Sequence, residues 1–369
     1  MDYSKHLRTD ETPQSEPIPG TTQVQNAAGG FGWALDHWGR LDRWLILGSE
    51  SGTYYTSERK LTQDNAKAVL ACVQEDAART IGTITGVSEG GRAPKNDPAI
   101  FALALCAARG PEAARRLAFQ SLPAVCRIGT HLFHFMRDYE ALRPAGPKAG
   151  GPHETGRYGR SVRNALAQWY RRRTPDDLVY DLIKYRQRDG WSHRDVVRLC
   201  HAEQGLDGIG RAIFKWLESG KLPVDRNTIP ARIEMFETLQ KETDPKAAAN
   251  LIHSFRMPRE AVPPELLQHA TVWEALLEDM PLTAMIRNLA TLTRLGIVAP
   301  LSKGTEKVVA ELGNTERLLK SRVHPIAVLT AMRTYGAGRS PRTEHTWEPV
   351  GAVVDALDDA FYSAFGSLT

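Results

Sequence analysis

Between Arg157 and Arg198 the chain sets eleven Lys and Arg against five Asp and Glu, a surplus of six positive charges in a protein whose whole net charge is +4. The remainder is therefore slightly acidic and the basicity is a patch. Cations repeated on rigid elements bind phosphates, and nearby Tyr, Trp or His can stack on unpaired bases or hydrogen-bond them. In GRSVRNALAQWYRRR, helical spacing puts Val162, Leu166 and Trp169 on one face and Arg160, Arg163, Asn164 and Arg171 on the other. The following segment buries Leu178, Val179, Leu182 and Ile183 and sets Lys184 and Arg188 four residues apart. Like charges at that spacing repel by a few tenths of a kcal/mol, which a phosphate between them would reverse. A third segment opens on Ser192 with Asp195 three residues on, a capping box with Asp in place of Glu. It aligns Arg194, Arg198 and His201 at i, i+4, i+7, opposite Val196, Leu199 and Cys200. Tyr170, Tyr185 and Trp191 are candidates either for stacking or for the core.

Other chemistry is weakly signalled. His131 and His134 stand at i, i+3 in THLFHF, a metal-ligand spacing without a carboxylate at a convincing position, so aromatic packing is expected of them and no metal is expected. The glycines Gly29 to Gly32 and Gly205 to Gly210 follow no apolar strand and read as turns. No G-x-S-x-G, Walker A or H-E-x-x-H sequence occurs, and no paired carboxylates have persuasive spacing, which argues against a nuclease or other enzyme. Cys72, Cys106, Cys126 and Cys200 lack C-x-x-C spacing and read as reduced core residues.

The elements that must position these residues read as helices. The chain has 369 residues, 42% apolar and 24% charged, enough for a large core in one extended domain or two. No run of about 18 apolar residues occurs, and the N-terminus shows neither an h-region nor a cleavage signal, so a soluble, cytoplasmic protein is expected. Residues 1–20 are polar and Pro-bearing and read as a flexible tail. Apolar residues at 3.6-residue spacing mark helices at Gln63 to Gln74, Pro98 to Arg109, Pro111 to Ser121, Gly159 to Arg172, Pro175 to Arg188 and Ser192 to His201. More follow at Pro230 to Leu239, Val272 to Glu278, Leu282 to Arg294, His324 to Tyr335 and Pro349 to Phe365. Several begin at or near a Pro, where the missing N–H is harmless. Strand alternation is scarce, and short paired helices suit an α-solenoid. The loop RPAGPKAGG, Arg143 to Gly151, breaks the pattern just before the basic segment.

Across nearly its whole length the sequence resembles the TROVE module of the Ro autoantigen family of RNA-binding proteins. The strings that carry the resemblance are GSESGTYY at Gly48 to Tyr55, FALALC at Phe101 to Cys106, VCRIGTHLF at Val125 to Phe133, and KYRQRDGWSHRDVVRLCH at Lys184 to His201. MPLTAMIRNL at Met280 to Leu289, His324 with Pro325, and ALDDAFY at Ala356 to Tyr362 complete them. The resemblance implies an all-α fold of HEAT-like helical repeats curved into a ring with a positively lined central hole, formed here by residues 21–369. It implies Y RNA bound on the outer surface and single-stranded 3′ ends of misfolded noncoding RNAs in the hole. The role would be quality control as a scaffold, in bacterial relatives with a Y RNA that links the protein to a 3′ exoribonuclease. The family's Y RNA residues fall on Lys184, Arg188 and His201. Arg127 and His131 are further candidates for RNA contact from their string, with a structural role as the alternative.

Members of that family usually continue into a von Willebrand factor A-like domain with a D-x-S-x-S metal motif, which this sequence lacks. The expectation is therefore no bound Mg²⁺ and a ring open or more mobile near its ends. A second class of function, a helical scaffold whose basic patch meets an acidic protein partner, is compatible with the same charge pattern.

Overall fold

The computed structural model describes residues 15–26, 29–48, 57–143, 158–203, 206–223, 225, 229–341 and 343–367. Residues 1–14 of the expected tail, most of the string at Gly48 to Tyr55 and most of the Pro/Gly loop lie outside them. Among the described residues the fold is all-α, with two short hairpins. The first, β1 (Gln23–Gln25) and β2 (Phe31–Trp33), precedes α1 (His37–Leu47). The first helical group is α2 (Glu58–Glu75), α3 (Ala77–Gly90), α4 (Asp97–Arg109), α5 (Glu112–Val125) and α6 (Gly129–Leu142). The basic segment then forms α7 (Arg160–Arg171), α8 (Pro175–Lys184), the hairpin β3 (Gln187–Arg188) and β4 (Trp191–Ser192), and α9 (His193–Cys200). Beyond it come α10 (Gly208–Ser219), α11 (Ala231–Leu239), α12 (Pro245–Phe255), α13 (Ala270–Glu278) and α14 (Leu282–Arg294). The last group is α15 (Lys303–Leu312), α16 (Thr315–Lys320), α17 (Pro325–Gly336) and α18 (Gly351–Ser363).

Many helices pack mainly on neighbours one or two places along the chain, as in a solenoid: α3 on α5, α4 on α6, α5 on α7, α7 on α9, α12 on α13, and α17 on α18, whereas α14 and α15 reach three places along to α17 and α18. One continuous apolar cluster runs through these contacts from Trp38 to Ala364. All four cysteines are buried thiols within it. Burial, joined by the nearby Glu75 and Asp36 charges, raises Cys72 to about 11, and burial with the nearby Cys72 raises Cys106 to about 12.

Local chemistry sets the boundaries. Pro175 occupies the first turn of α8, and Thr174 caps it through the Asp177 amide. Pro111 caps α5 from outside, whereas Pro349 lies ahead of the cap Val350 of α18. Gly208 and Gly210, expected in a turn, instead open α10 behind the N-cap Asp207. None of the helices among the described residues is long and apolar enough to cross a membrane.

The helix expected over Pro175 to Arg188 ends at Lys184, because Asp189 (φ 53°) and Gly190 (φ 79°) form a two-residue turn that pairs Arg188 with Trp191. An Asp-Gly pair with both φ positive is the type I′ geometry that matches strand twist. Lys184 and Arg188 therefore do not share a helix face, and the repulsion expected between them does not arise from helical spacing.

The first and last helical groups touch. Arg322, between α16 and α17, adopts φ 50° and donates from Nε to the Glu89 carbonyl of α3 at 2.7 Å, across 233 residues of sequence. It crosses Gly91 so closely that a Cβ there would lie 3.0 Å from the Arg322 Cβ. One residue before Glu89, Ser88 donates to Asn96 Oδ1 (2.6 Å) and accepts from Arg127 Nη1 (2.8 Å). The expectation of an open array thus meets a direct contact between its first and last helical groups. Replacing Arg322 by Ala is expected to lower stability by about 1–2 kcal/mol, read as a reduced urea midpoint; an unchanged midpoint would show that the contact adds nothing to the fold.

Candidate nucleic-acid interface

The strongly amphipathic pattern of α7 buries Val162, Leu166 and Trp169 as expected, together with Ala165, Ala167 and Tyr170. Arg160 is exposed and Arg163 half-buried, while Arg171 reaches from Nε towards the Ala202 carbonyl (3.4 Å), joining the end of α7 to the end of α9. Arg173, just past α7, is committed to structure. Its Nε donates to Asp181 Oδ2 at 2.7 Å, Nη1 to the Trp169 carbonyl at 2.6 Å and Nη2 to the Arg127 carbonyl at 2.9 Å. The guanidinium carbon also lies 3.5 Å from the Trp169 ring centroid.

On α8 the four expected apolar residues are buried, and Lys184 closes the last turn half-exposed. Its ammonium donates to the Tyr180 hydroxyl (3.2 Å) and lies 5.1 Å from the Tyr180 ring and 5.4 Å from that of Tyr185. Tyr180 and Tyr185 thus both engage the ammonium, whose three N–H groups still leave capacity for a ligand. Tyr180 is a residue that the sequence reading missed, although its i, i+4 spacing to Lys184 was available as a signal. Arg188 is exposed on β3 and makes no hydrogen bond or ion pair among the described residues.

The capping box on α9 forms in full: the Asp195 amide donates to Ser192 Oγ and the Ser192 amide donates to Asp195 Oδ2. Behind it Arg194, Arg198 and His201 are exposed along one stripe, as expected. Arg194 donates from Nε to the Leu217 carbonyl at 3.1 Å, Arg198 lies 3.9 Å from Glu218, and His201 Nδ1 lies 3.8 Å from Glu203. His201 ends the helix with φ 50°. Exposed contacts at such distances are weak, so Arg194 and Arg198 remain available to a polyanion.

Of the aromatic candidates, Tyr170 and Trp191 are core residues. Only Tyr185 is partly exposed. Arg127 sits apart from the patch, donating to Ser88 Oγ and to the Ala124 carbonyl (3.1 Å). Burial, then the neighbouring Arg322 charge, lower its affinity for a proton.

The histidines did not follow the sequence expectation of aromatic packing. His134 Nδ1 faces Asp97 Oδ1 and its Nε2 faces Asp189 Oδ2, both at 3.3 Å, carboxylates that arrive from distant sequence. His131 Nδ1 lies 3.4 Å from Asn96 Nδ2. No group of three or more His, Cys, Asp or Glu suited to a metal ion occurs among the described residues. His193 is fully buried beside Phe133, Trp169 and Tyr170, with the Tyr170 hydroxyl 2.9 Å from Nδ1.

A match to the TROVE domain family covers residues 24–256 and 254–336. The chain belongs to this family. It is 37% identical over 359 residues to the RNA-binding protein RO60 of Deinococcus radiodurans, covering 96% of this chain and 64% of that protein. To the RNA-binding protein RO60 of Caenorhabditis elegans it is 32% identical over 409 residues, covering 93% of this chain and 63% of the relative. The crystal structure of the Deinococcus radiodurans RO (RSR) protein is similar with a TM-score of 0.68 at 37% identity, covering 89% of this chain and 64% of that one. The TROVE chain described here thus spans a little under two thirds of the length of these relatives.

Two stability predictions follow from the TROVE chain's buried histidines. Burial lowers His193 to about 3, and burial together with the Arg127 charge lowers His131 to about 4, from the ordinary 6.5. Both are neutral when folded, whereas the unfolded chain protonates them below about 6.5. Their contribution to stability is full above that pH. It is lost at about 1.4 kcal/mol per pH unit for each histidine as pH falls, down to pH 4 for His131 and pH 3 for His193. Urea titrations at pH 7 and pH 5 should show His131→Gln with a shallower loss than wild type; equal losses would contradict the burial account. Gly129 opens α6 where an added Cβ would lie 2.7 Å from both His193 Nε2 and Tyr185 Cβ. Gly129→Ala is accordingly expected to destabilise by about 2 kcal/mol or more in the same titration, and a neutral result would show that this packing relaxes freely.

Proposed function

We propose that this TROVE chain is a non-enzymatic RNA-binding scaffold that recognises RNA chiefly through phosphate contacts. The observation that carries the reading is the run of Lys184, Arg188, Arg194, Arg198 and His201 on three successive elements, α8, the β3–β4 hairpin and α9, with donors left over on an otherwise mildly acidic protein. Backbone positioning from helices and a hairpin suits structured RNA, whose grooves are read mainly by shape and by phosphate and 2′-OH contacts. Membership in a family whose relatives are named RNA-binding proteins supports the same conclusion.

The finer reading is that the outer surface takes a Y RNA stem through Lys184, Arg188 and His201, with Arg194 and Arg198 on adjoining phosphates and Arg160, Arg163 and Arg171 at the margin. Single-stranded 3′ ends of misfolded noncoding RNAs would enter a central hole in the ring of HEAT-like repeats. Arg127 belongs to the junction of the array rather than to this patch, and in the proposal it acts there as support. The protein would serve cytoplasmic RNA quality control, handing RNA to a 3′ exoribonuclease linked through Y RNA. Such work needs RNA recognition and no covalent chemistry from this chain.

Binding of a Y-like stem, and separately of a duplex with a single-stranded 3′ tail, tests the proposal with wild type and Lys184→Ala/Arg188→Ala/His201→Ala across a salt series. The triple variant is expected to lose stem affinity, and to lose about one unit of salt slope for each phosphate contact removed, while keeping tail binding. Wild type that binds neither RNA would overturn the reading in favour of a protein partner.

A further inference from the structure

The hairpin that carries Arg188 is fastened at two points. Beside the turn Trp191, the cross-strand partner of Arg188, is 2% exposed and packs edge-on against Tyr158 at 6.3 Å. At its tip the Asp189 carboxylate is held by α6. Arg137 Nη1 donates to Asp189 Oδ2 at 2.9 Å, and His134 Nε2 lies 3.3 Å from the same oxygen. Arg137 is itself held by its Nε bond to the buried Asp138 (2.8 Å), while His134 Nδ1 lies 3.3 Å from Asp97 Oδ1 without hydrogen-bond geometry. Arg188 sits between these anchors, exposed and with no intramolecular partner among the described residues. A free arginine gives up several rotatable bonds when it binds a phosphate, and a fixed backbone limits that loss.

We infer that Asp189 is a positioning residue for RNA binding: an acidic side chain that strengthens the hold on a polyanion because it pins the Arg188 hairpin to α6. This inference rests on the proposed RNA-binding reading of Arg188. Its sign is opposite to simple electrostatics. An acidic residue beside a phosphate-binding arginine repels RNA, so its neutralisation alone would tighten binding.

Asp189→Asn separates the two effects, since Asn-Gly suits the same type I′ turn and leaves the hairpin's backbone preference intact. Arg137→Ala is less clean, because it would also leave Asp138 buried without its partner. The experiment measures binding of the Y-like stem across a salt series for wild type, Asp189→Asn, Arg188→Ala and the double variant, with a thermal melt of each. The expected result is about 3- to 10-fold weaker binding by Asp189→Asn, a salt slope lower by about one, little change in melting temperature, and no further loss when the substitution is added to Arg188→Ala. Unchanged or tighter binding by Asp189→Asn, with Arg188→Ala still weakened, would overturn the pin while leaving the RNA-binding reading standing. Equal weakening by Asp189→Asn in the presence and absence of Arg188 would also overturn it, because the effect would not pass through that side chain. If Arg188→Ala binds like wild type, the placement of RNA on this hairpin fails, and the pin fails with it.

Discussion

The guanidinium of Arg173 joins parts of the chain that share no local sequence. It covers the Trp169 ring, closes α7 by bonding the Trp169 carbonyl, pairs with Asp181 of α8, and reaches the Arg127 carbonyl just ahead of α6. Burial alone would push the Asp181 proton affinity up, and the Arg173 charge opposes that push. A largely buried pair whose guanidinium makes further bonds from both terminal nitrogens is costly to break from one side, because the survivor stays desolvated without a partner. Trp169, under that guanidinium, donates its own indole N–H to the Cys126 carbonyl. The angle between α7 and α8, and their seat against the start of α6, thus depend on one cation inside the most basic part of the sequence.

That division of labour gives the patch its character. Arg173 is spent on structure, Arg171 partly so, and Arg127 is drawn to the junction where Ser88 and Glu89 meet the other end of the chain. Lys184, Arg188, Arg194, Arg198 and His201 stay on the outside of α8, the β3–β4 hairpin and α9. Their local partners are hydroxyls, one carbonyl and distant carboxylates, which leave charge uncompensated. A surface of this kind binds phosphates by field and by spacing, and the spacing is set by buried bonds.

Much of this was legible in the residues, and what was not has physical causes. The buried stripes of α7, α8 and α9 and the Ser192 to Asp195 capping box are written at i, i+3 and i+4, and they formed as read. The β3–β4 hairpin was legible too, from Asp189 and Gly190, but a helical reading of the residues before it ran through the turn. In α3, AARTIGTITGVSEG, Gly and β-branched residues weaken intrinsic helicity, and burial of Thr80, Ile81, Ile84 and Val87 overrides propensity. Contacts such as His134 with Asp97 and Asp189, or Arg322 with Glu89, have no local signature because their partners are brought together only by the packed array. The resemblance to the TROVE family came from strings that local periodicity does not explain, and the family match upholds that resemblance.

In the proposed binding mode RNA lies across the α8, β3–β4 and α9 surface. Photo-crosslinking of a Y-like stem carrying 4-thiouridine, followed by mass spectrometric mapping of the attached peptides, tests it most directly. Crosslinks concentrated between Lys184 and His201 are the expected result. Crosslinks confined to other surfaces, with this segment unmarked, would contradict the account.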